Sequence, residues 1–416
     1  MFKKVIFNTG YQIIGKVITA SATLIITLLI AKSLGPAGYG DFTKIFVFIG
    51  YFYTIADFGL NNIYIKLSHK EKDENLIRYL VGLRIVISIF LAIMAIIISL
   101  ILPYNPQLGL GFSPFVKIAI AIASLTIITQ ALLTAANAYF QKNLRYDLSA
   151  ISAAIGTVVI LFSSVIFTLY NPNLLFYTAG YVFGGITIVI TSYFLIFNKL
   201  KYQILPLFNL KKFIKLSRNS FPVALALIFN LIYFRIDIFI LAYTRSTVEV
   251  GIYGLAYQFF EASLSIPIFI ANTLYPLLSK LYTENISEYK KQVKKWLILA
   301  IIASLFLILA LFLVSFLIPV LYDARFYESQ KALFILALGL PFFFISAILW
   351  HLLIIHDKQK YLCLIYLAGA IFNLTLNLIF TPRFGYLSAS AITVVSEALI
   401  TLMLILTIIV TKERQH

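Results

Sequence analysis

The chain has 416 residues, of which 61% are hydrophobic and only 12% are charged, and its mean hydropathy is +0.97. Soluble domains are roughly half apolar and a quarter charged, and a core this large would lack the polar surface needed to cover it. The composition therefore excludes a soluble globular protein and indicates an integral membrane protein. The formal net charge of +17 would suggest nucleic-acid binding in a soluble chain, but here the positions of the charges must be considered first.

The apolar segments predict twelve membrane-spanning helices, because a span needs about 20 mainly apolar residues. In chain order, the predicted spans cover residues 11–34, 43–66, 76–102, 115–139, 147–170, 173–198, 220–243, 251–280, 293–320, 331–355, 361–381 and 385–411. The first span has no small-residue cleavage site after its apolar stretch, so we interpret it as a helix and not as a removable signal.

The basic residues predict the orientation of the spans, since Lys and Arg concentrate in cytoplasmic loops. The clusters Lys3–Lys4, Lys211–Lys215 and Lys290–Lys295 all fall on one side of the twelve spans, and few basic residues fall on the other. This asymmetry predicts a multi-pass protein of the cell membrane with both termini in the cytoplasm. It also accounts for most of the positive charge, so we expect no nucleic-acid partner.

Several ionisable side chains lie inside the first three predicted spans. Each costs about 2.5–3.5 kcal/mol in a membrane and normally faces a cavity or a partner. Lys16 and Arg84 lie within about two or three turns of the cytoplasmic end, and Asp57 lies nearer the middle. A phosphate-bearing substrate entering from the cytoplasm would meet the two cations first, and guanidinium suits bidentate phosphate contacts. Extension of Lys16 to the membrane interface is an equally good interpretation of that residue.

A polar stripe follows one face of the fourth span. Its members recur at helical spacing and are Gln130, Thr134, Asn137 and Gln141. The stripe predicts either the lining of a wet cavity or hydrogen bonds to neighbouring helices, which are equally good chemistry in lipid.

The longest polar segment, residues 199–219, separates residues 1–198 from residues 220–416 and contains the basic stretch LKKFIKLSR. We interpret it as a cytoplasmic amphipathic linker between an N-terminal and a C-terminal six-helix bundle. It either lies on the anionic inner leaflet or is a solvated linker.

The seventh span carries both a cation and an anion. Asn230, Tyr233 and Asp237 share one helix face, whereas Arg235 points about 200° away from Asp237. A straight helix cannot direct both charges to one point. Either one of them lines a cavity while the other pairs with a neighbouring helix, or the helix is locally distorted, and a structural ion pair with another span is the alternative for each.

The eighth and twelfth spans contain further acidic groups near the middle of the membrane, Glu261 and Glu397. Pro267 and Pro276 should kink the eighth span around Asn272 and free carbonyl groups. Kinked helices beside acidic groups are where transporters bind coupling ions. Asp57, Asp237, Glu261 and Glu397 are therefore candidates for charge balance or for coupling to a cation, Na⁺ or H⁺.

No enzyme chemistry is predicted. The chain has no Walker A sequence, no Gly-rich dinucleotide loop and no nucleophile elbow. The single cysteine, Cys363, excludes an intramolecular disulfide, and the four histidines are too scattered to suggest a metal centre. We expect no catalytic residue, no bound metal and no cofactor.

An internal repeat supports two similar halves. LIAKSLGPAGYGDFTKIF at the first outer connection resembles LAYTRSTVEVGIYGLAYQFF at the fourth, and both place a Gly-Tyr-Gly-like turn, Gly38–Gly40 or Gly251–Gly254, after the first helix of a half. Six spans per half make the repeat parallel. The predicted fold is thus an all-α membrane protein with two six-helix bundles around a central cavity.

Three motifs resemble the Wzx-type polysaccharide biosynthesis flippases of the multidrug, oligosaccharidyl-lipid and polysaccharide exporter superfamily. The first is LIAKSLGPAGYGDFTKIF followed by Ala56–Leu60. The second is Arg235-x-Asp237-x-x-x-Leu241 with Val250-Gly251-x-Tyr253-x-x-Ala256-x-x-x-x-Glu261. The third is Asn373-x-x-x-Asn377-Leu378-Ile379-Phe380-Thr381-Pro382-x-Phe384-Gly385, running on to Ser396-Glu397.

The resemblance implies that the protein moves a polyprenyl-(di)phosphate-linked oligosaccharide from the cytoplasmic to the outer leaflet by alternating access, for a surface polysaccharide such as O-antigen or for glycoprotein assembly. Lys16, Arg84, Arg235, Asn230, Gln130 and Asn137 are the candidate substrate-binding residues. Membrane lipids and other glycan-assembly membrane proteins are further candidate partners. The alternative is a multidrug or other small-molecule antiporter of the same superfamily.

Overall fold

The fold is described from a computed structural model. It covers the backbone of residues 2–71 and 73–413 and the side chains of residues 19–68, 73–221, 224–225 and 227–410.

Helices account for almost all of the described chain. The α-helices are α1 Phe2–Asp57, α2 Leu60–Glu71, α3 Leu76–Ile101, α4 Pro114–Ala123, α5 Leu125–Lys142, α6 Tyr146–Tyr170, α7 Leu174–Leu200, α8 Leu210–Thr244, α9 Thr247–Glu284, α10 Ile286–Leu321, α11 Tyr327–Ala337, α12 Leu340–Ile355 and α13 Gln359–Glu413, and a short 3₁₀ turn covers Ala324–Phe326. A two-stranded antiparallel hairpin, β1 Tyr104–Asn105 and β2 Leu110–Gly111, lies between α3 and α4.

The predicted number of spans is confirmed. Nine helices of the described chain are long and apolar enough to cross a membrane, and a bent pair, Ala324–Ala337 with Leu340–Ile355, forms a tenth span. Two of the nine, α1 and α13, each contain a break at a glycine, Gly35 or Gly385, and therefore supply two spans each. The protein is an all-α multi-pass membrane protein with the twelve spans expected from its hydropathy.

The outer ends of α1 and α13 differ from the prediction. Residues 35–42 and Pro382 were expected in loops, but each helix continues through them with one left-handed residue, Gly35 (φ 66°) or Gly385 (φ 62°). Glycine reaches this backbone region without a Cβ penalty, so a single residue redirects the chain. The prediction of a turn at each Gly-Tyr-Gly-like segment is also wrong, because Gly38–Gly40 and Gly251–Gly254 are both helical.

The described chain divides into two compact units, one ending at Ile228 and the other beginning at Phe229. A core cluster of the first unit includes Leu60, Tyr64, Leu80 and Phe140, all fully buried. Ile204 and Leu216, from the segment predicted to be a linker, belong to the same cluster. This segment therefore packs on the first unit.

The core of the second unit is aromatic. Tyr253, Tyr257 and Phe260 of α9 are buried in successive positions along one helix face. The Phe260 ring meets the Phe343 ring of α12 with centroids 5.4 Å apart. This packing brings α8, α9, α12 and α13 together where most of the predicted acidic groups lie.

Candidate functional site

In the first unit, Arg84 of α3 is completely buried. Its guanidinium donates to three acceptors, Asp57 Oδ1 at 3.1 Å, Asn61 Oδ1 at 2.7 Å and Thr134 Oγ1 at 2.6 Å. The Asp57 side chain keeps about a third of its surface exposed, at 34%. In this conformation Arg84 orients protein acceptors, and Asp57 is the exposed member of the pair.

A left-handed turn between α1 and α2 positions two of these acceptors. Phe58 (φ 50°) and Gly59 (φ 65°) interrupt the helix directly after Asp57. The interruption lets Asp57, at the end of α1, and Asn61, at the start of α2, both reach the same guanidinium nitrogen. Asn61 was not predicted as a functional residue, although it follows Asp57 by about one helical turn.

The polar stripe of α5 serves mainly as a set of interhelical contacts. Thr134 accepts the bond from Arg84, and Asn137 Oδ1 accepts a 2.7 Å bond from the Ser149 hydroxyl of α6. Gln130 is half-buried. The stripe was predicted either to line a wet cavity or to form hydrogen bonds to neighbouring helices, and Thr134 and Asn137 form such interhelical hydrogen bonds. The Lys16 side chain lies outside the described residues.

In the second unit, three contacts join α8 to one face of α9. Asp237 is buried and its carboxylate accepts a hydrogen bond from the Tyr253 hydroxyl. One turn further along α9, the Tyr257 hydroxyl donates to the Phe234 carbonyl at 2.8 Å. The face Tyr253–Tyr257–Glu261 then ends at an ion pair with Arg235.

Arg235 Nη2 lies 2.6 Å from both carboxylate oxygens of Glu261, and its guanidinium lies 5.2 Å from the centroid of the Tyr257 ring. The two side chains retain 26% and 51% of their surface, respectively. The predicted divergence of Arg235 and Asp237 is thus present: Asp237 is enclosed, and Arg235 is the accessible charge of the pair.

Glu397 of α13 is the second enclosed acid. It is 2% exposed, the Tyr233 hydroxyl donates to Oε2 at 2.6 Å, and the Ser346 hydroxyl donates to Oε1. Among the described residues, no basic side chain forms an ion pair with Glu397 or Asp237. A buried carboxylate without a basic partner is costly when charged, so a proton or a bound cation would relieve both sites.

A cavity of about 350 Å³ opens beside Glu397, inside the second unit. It is lined by Asn230, Phe234, Leu264, Pro267, Ile268, Asn272, Phe343, Ser346, Ala347, Trp350, His351, Tyr366 and Glu397. The sequence pointed to Asn230 and Glu397 as site residues. Trp350, His351 and Tyr366 were missed because apolar runs rich in aromatic residues occur throughout the chain.

His351 is fixed at the cavity by contacts at both ring nitrogens. Nδ1 lies 2.8 Å from the Ala347 carbonyl oxygen, and Nε2 lies 3.2 Å from Asn272 Oδ1. Asn272, predicted only as the centre of a kink, therefore supplies a polar group to the wall. In the part of the chain that the structure describes, no group of three or more His, Cys, Asp or Glu side chains is arranged to hold a metal ion.

A buried amide network connects the two halves of α13. Asn377 Nδ2 donates to Asn373 Oδ1 at 3.0 Å, and Thr381 Oγ1 donates to Asn377 Oδ1 at 2.7 Å. Asn373 Nδ2 in turn donates to Ser396 Oγ at 3.2 Å, beyond the break at Gly385. The asparagines of the third sequence motif therefore hold together the helix segments that present Glu397.

Solved transporter structures share this fold. The structure is similar to a lipid II flippase, MurJ, in an inward closed conformation, with 18% identity, a TM-score of 0.74 and coverage of 97% of this chain and 87% of that one. It is also similar to an inward-facing multidrug resistance MATE family transporter of the MOP superfamily, with 11% identity, a TM-score of 0.77 and coverage of 97% and 99%. The fold is that of the multidrug, oligosaccharidyl-lipid and polysaccharide transporters.

Residues 5–282 match the polysaccharide biosynthesis protein family, and residues 222–379 match the MatE family. Because the first match covers well over half of the chain, the protein belongs to the polysaccharide biosynthesis protein family. A Shigella flexneri protein named "Putative O-antigen transporter" is 23% identical over 408 residues, which cover 95% of this chain and 96% of that relative. The resemblance seen in the sequence motifs is confirmed.

Proposed function

We propose that the protein moves a polyprenyl-(di)phosphate-linked oligosaccharide from the cytoplasmic to the outer leaflet by alternating access. The family match over residues 5–282 supports this class of cargo, as does the similarity to a protein named for O-antigen transport. Unaided crossing would expose many glycan hydroxyls and a diphosphate to hydrocarbon, at a cost of several kcal/mol for each unsatisfied group. Fixed polar and cationic groups inside the protein would offset that cost.

The observation that carries the proposal is the accessible Arg235 guanidinium in the middle of a membrane-spanning helix. Glu261 contacts only one of its terminal nitrogens, which leaves hydrogen-bond donors for a second anion. A diphosphate would compete with Glu261 for the guanidinium and bind both of its terminal nitrogens in a bidentate contact. Cargo binding would thus open the Arg235–Glu261 pair, and release of the cargo would close it again.

Arg84 has a different part in this proposal. Because it is enclosed by Asp57, Asn61 and Thr134, it would contact a diphosphate only in a conformation that opens the cluster. With the cluster closed, it holds Asp57 in place. Lys16, Asn230, Gln130 and Asn137 remain candidate contacts to the head group.

Asp237 and Glu397, with the more exposed Asp57 and Glu261, are the candidates for coupling to Na⁺ or H⁺. A cation that enters either enclosed carboxylate would remove the cost of the buried charge. Cargo release would restore the Arg235–Glu261 ion pair, and cation entry would neutralise Asp237 or Glu397. We further propose that the protein lies in the cell membrane with both termini in the cytoplasm and acts beside other glycan-assembly proteins.

The test is export of lipid-linked oligosaccharide in proteoliposomes, measured as access of an external glycosidase to the glycan. We expect Arg235→Ala to slow export by about 10- to 100-fold, the equivalent of one charge-assisted hydrogen-bond contact. Arg235→Lys should fall in between, since it keeps the charge and loses the fork. Arg245→Ala is the matched control, because Arg245 lies directly after the last residue of the same helix and pairs with Glu249 of α9.

A multidrug antiporter is the second candidate, and the cavity beside Glu397 favours it because aromatic walls with one acidic group suit an organic cation. Uptake of tetraphenylphosphonium by proteoliposomes, with no glycan export, would select this function. If the Arg235→Ala variant exports the glycan at the wild-type rate, the proposed contact between Arg235 and the diphosphate is excluded.

A further inference from the structure

We infer that the cavity inside the second unit, beside Glu397, is a saccharide subsite that seats one neutral sugar residue of the exported glycan. This inference rests on the proposed function for its biological cargo, but sugar binding in the cavity can be measured without transport. At about 350 Å³ the cavity lies at the small end of ligand pockets. A cavity of this size suits a small ligand such as a single pyranose ring.

The aromatic part of the wall matches the flat face of a sugar ring. The rings of Trp350 and Tyr366 lie 4.9 Å apart and are nearly perpendicular, at 74°. A pyranose presents polarised C–H groups on its face, and these are attracted to the negative face of an aromatic ring. Two perpendicular rings form a corner in which a sugar can contact one face and one edge.

The polar part of the wall offers neutral hydrogen-bonding groups that the protein leaves unused. Asn230 makes no side-chain hydrogen bond to a described residue, and the Asn272 amide meets one side-chain partner, His351, which leaves hydrogen-bonding capacity on the amide. The Trp350 indole and the Tyr366 hydroxyl also make no hydrogen bond to a described residue. Removing water from such groups without supplying another hydrogen-bond partner costs free energy. The hydroxyl groups of a sugar ring would supply partners to several of them at once.

The charge and polarity of the wall favour a sugar over a phosphate and over an isoprenoid chain. No Lys or Arg is among the described residues that line the cavity, so it does not suit a phosphate. Each Glu397 oxygen already accepts a hydrogen bond, from Tyr233 or Ser346. Carboxylate oxygens have lone pairs to spare and can accept a sugar hydroxyl. An isoprenoid chain would leave the amides unsatisfied.

The test uses the two tryptophans of the chain. Trp296→Phe leaves Trp350 as a fluorescent reporter in the cavity, and the buried Trp296 nitrogen has no hydrogen bond to lose. The full-length variant is placed in lipid nanodiscs, because alkyl glycoside detergents carry sugars themselves. The probes are methyl glycosides of hexoses and of N-acetylhexosamines, with inorganic pyrophosphate and tetraphenylphosphonium as alternatives.

We expect at least one methyl glycoside to change Trp350 fluorescence saturably, with an affinity in the millimolar range. Asn230→Ala and Asn272→Ala should each weaken this binding about tenfold, the cost of about one hydrogen bond. Asn219→Ala, at an exposed position earlier in α8, should leave it unchanged. Saturable binding of pyrophosphate or tetraphenylphosphonium instead, or no response to any glycoside, would overturn the inference.

Export assays separate this inference from the proposed function. Glycoside binding that the asparagine variants weaken, in a protein that exports no lipid-linked glycan, would support the subsite and refute the cargo. Normal export by both asparagine variants, with no glycoside binding, would refute the subsite and leave the proposed function standing.

Discussion

Tyr233 and Glu397 are 164 positions apart in the sequence, and a 2.6 Å hydrogen bond from the tyrosine hydroxyl to the carboxylate joins α8 to α13. Both residues are buried, at 3% and 2% exposure. The carboxylate borders the cavity, so this bond fixes one wall of the proposed subsite. It also provides part of the solvation that the buried acid would otherwise lack.

We therefore expect Tyr233→Phe to lower the free energy of unfolding by about 1–3 kcal/mol, because it leaves a buried acceptor with one donor fewer. Thermal unfolding in nanodiscs would measure the change. In a Glu397→Gln background the effect should shrink, since the two side chains act as one pair. Tyr193→Phe is the control, because its hydroxyl makes only a 3.4 Å contact to the Leu132 carbonyl. Equal effects of the two Tyr→Phe changes would contradict the prediction.

Arg84→Met should destabilise the first unit by about 1.5–3 kcal/mol, the usual contribution of hydrogen bonds to a charged group, because the guanidinium is buried while its partner Asp57 stays a third exposed. Arg84→Lys should recover only part of the loss, since an ammonium group lacks the planar fork that reaches three acceptors. Arg145→Met is the matched surface change: Arg145 pairs with Asp147 at 2.8 Å, but both are about a quarter to a third exposed, so the loss should be about 0–1 kcal/mol. Thermal unfolding again provides the measurement.

Gly385→Ala should destabilise the second unit. The residue has a φ of 62°, which costs about 1–2 kcal/mol for a side chain, and a Cβ there would lie 2.0 Å from Glu249 Oε2. Gly50→Ala is the opposite case, because Gly50 is helical and a Cβ there would meet no atom within 4 Å. It should be neutral or stabilise the protein by about 0.5–1 kcal/mol. Thermal unfolding of the two variants that fails to separate them would contradict this assignment.

The attachment of residues 201–212 to the first unit should weaken in acid. Lys212 donates a 2.7 Å hydrogen bond to Asp73 and holds the pKa of that carboxyl below its ordinary value of 3.8. A lowered pKa means that the contribution is complete above the ordinary value and is lost as the pH falls through the lowered one. Hydrogen exchange of residues 201–212, corrected for intrinsic rates, should show this loss of protection below pH 3.8. Asp73→Asn should already show reduced protection at neutral pH, with no further acid step, and the Asp323→Asn variant should behave like the wild type.

The twelve spans could be predicted because a span depends on local composition, which the sequence displays directly. The outer ends were harder, since Gly35 and Gly385 each redirect a helix with a single residue. The Gly and Pro residues near Gly35 and Gly385 led us to predict a loop of several residues at each of these two positions. The sequence could not distinguish a loop rich in Gly and Pro from a helix that resumes at Pro36, because proline is favoured in the first turn of a helix.

The divergence of Arg235 and Asp237 could also be predicted, since it follows from the helical angle alone. Their partners could not, because Glu261 and Tyr253 lie on another helix and the packing of α8 on α9 depends on side-chain shape along the whole contact. The same holds for Arg84, whose burial depends on Asn61 and Thr134. Spacing within one helix identifies faces, and only tertiary packing decides which face is enclosed.

The hairpin between α3 and α4 is a place where foreign sequence should be tolerated, on the side predicted to lie opposite the basic clusters. Other connections are much shorter: a single glycine joins two helix segments at Gly35 and at Gly385, and only two residues precede Thr247. The hairpin is held at its base by Lys44, which donates to the Gly111 carbonyl at 3.0 Å, while a side chain at Gly109 would meet no atom within 4 Å. With the termini in the cytoplasm, as proposed, antibodies would bind an epitope inserted at the hairpin tip on intact cells, whereas the same epitope at Gly35 or Gly385 would separate the two helices that each glycine joins.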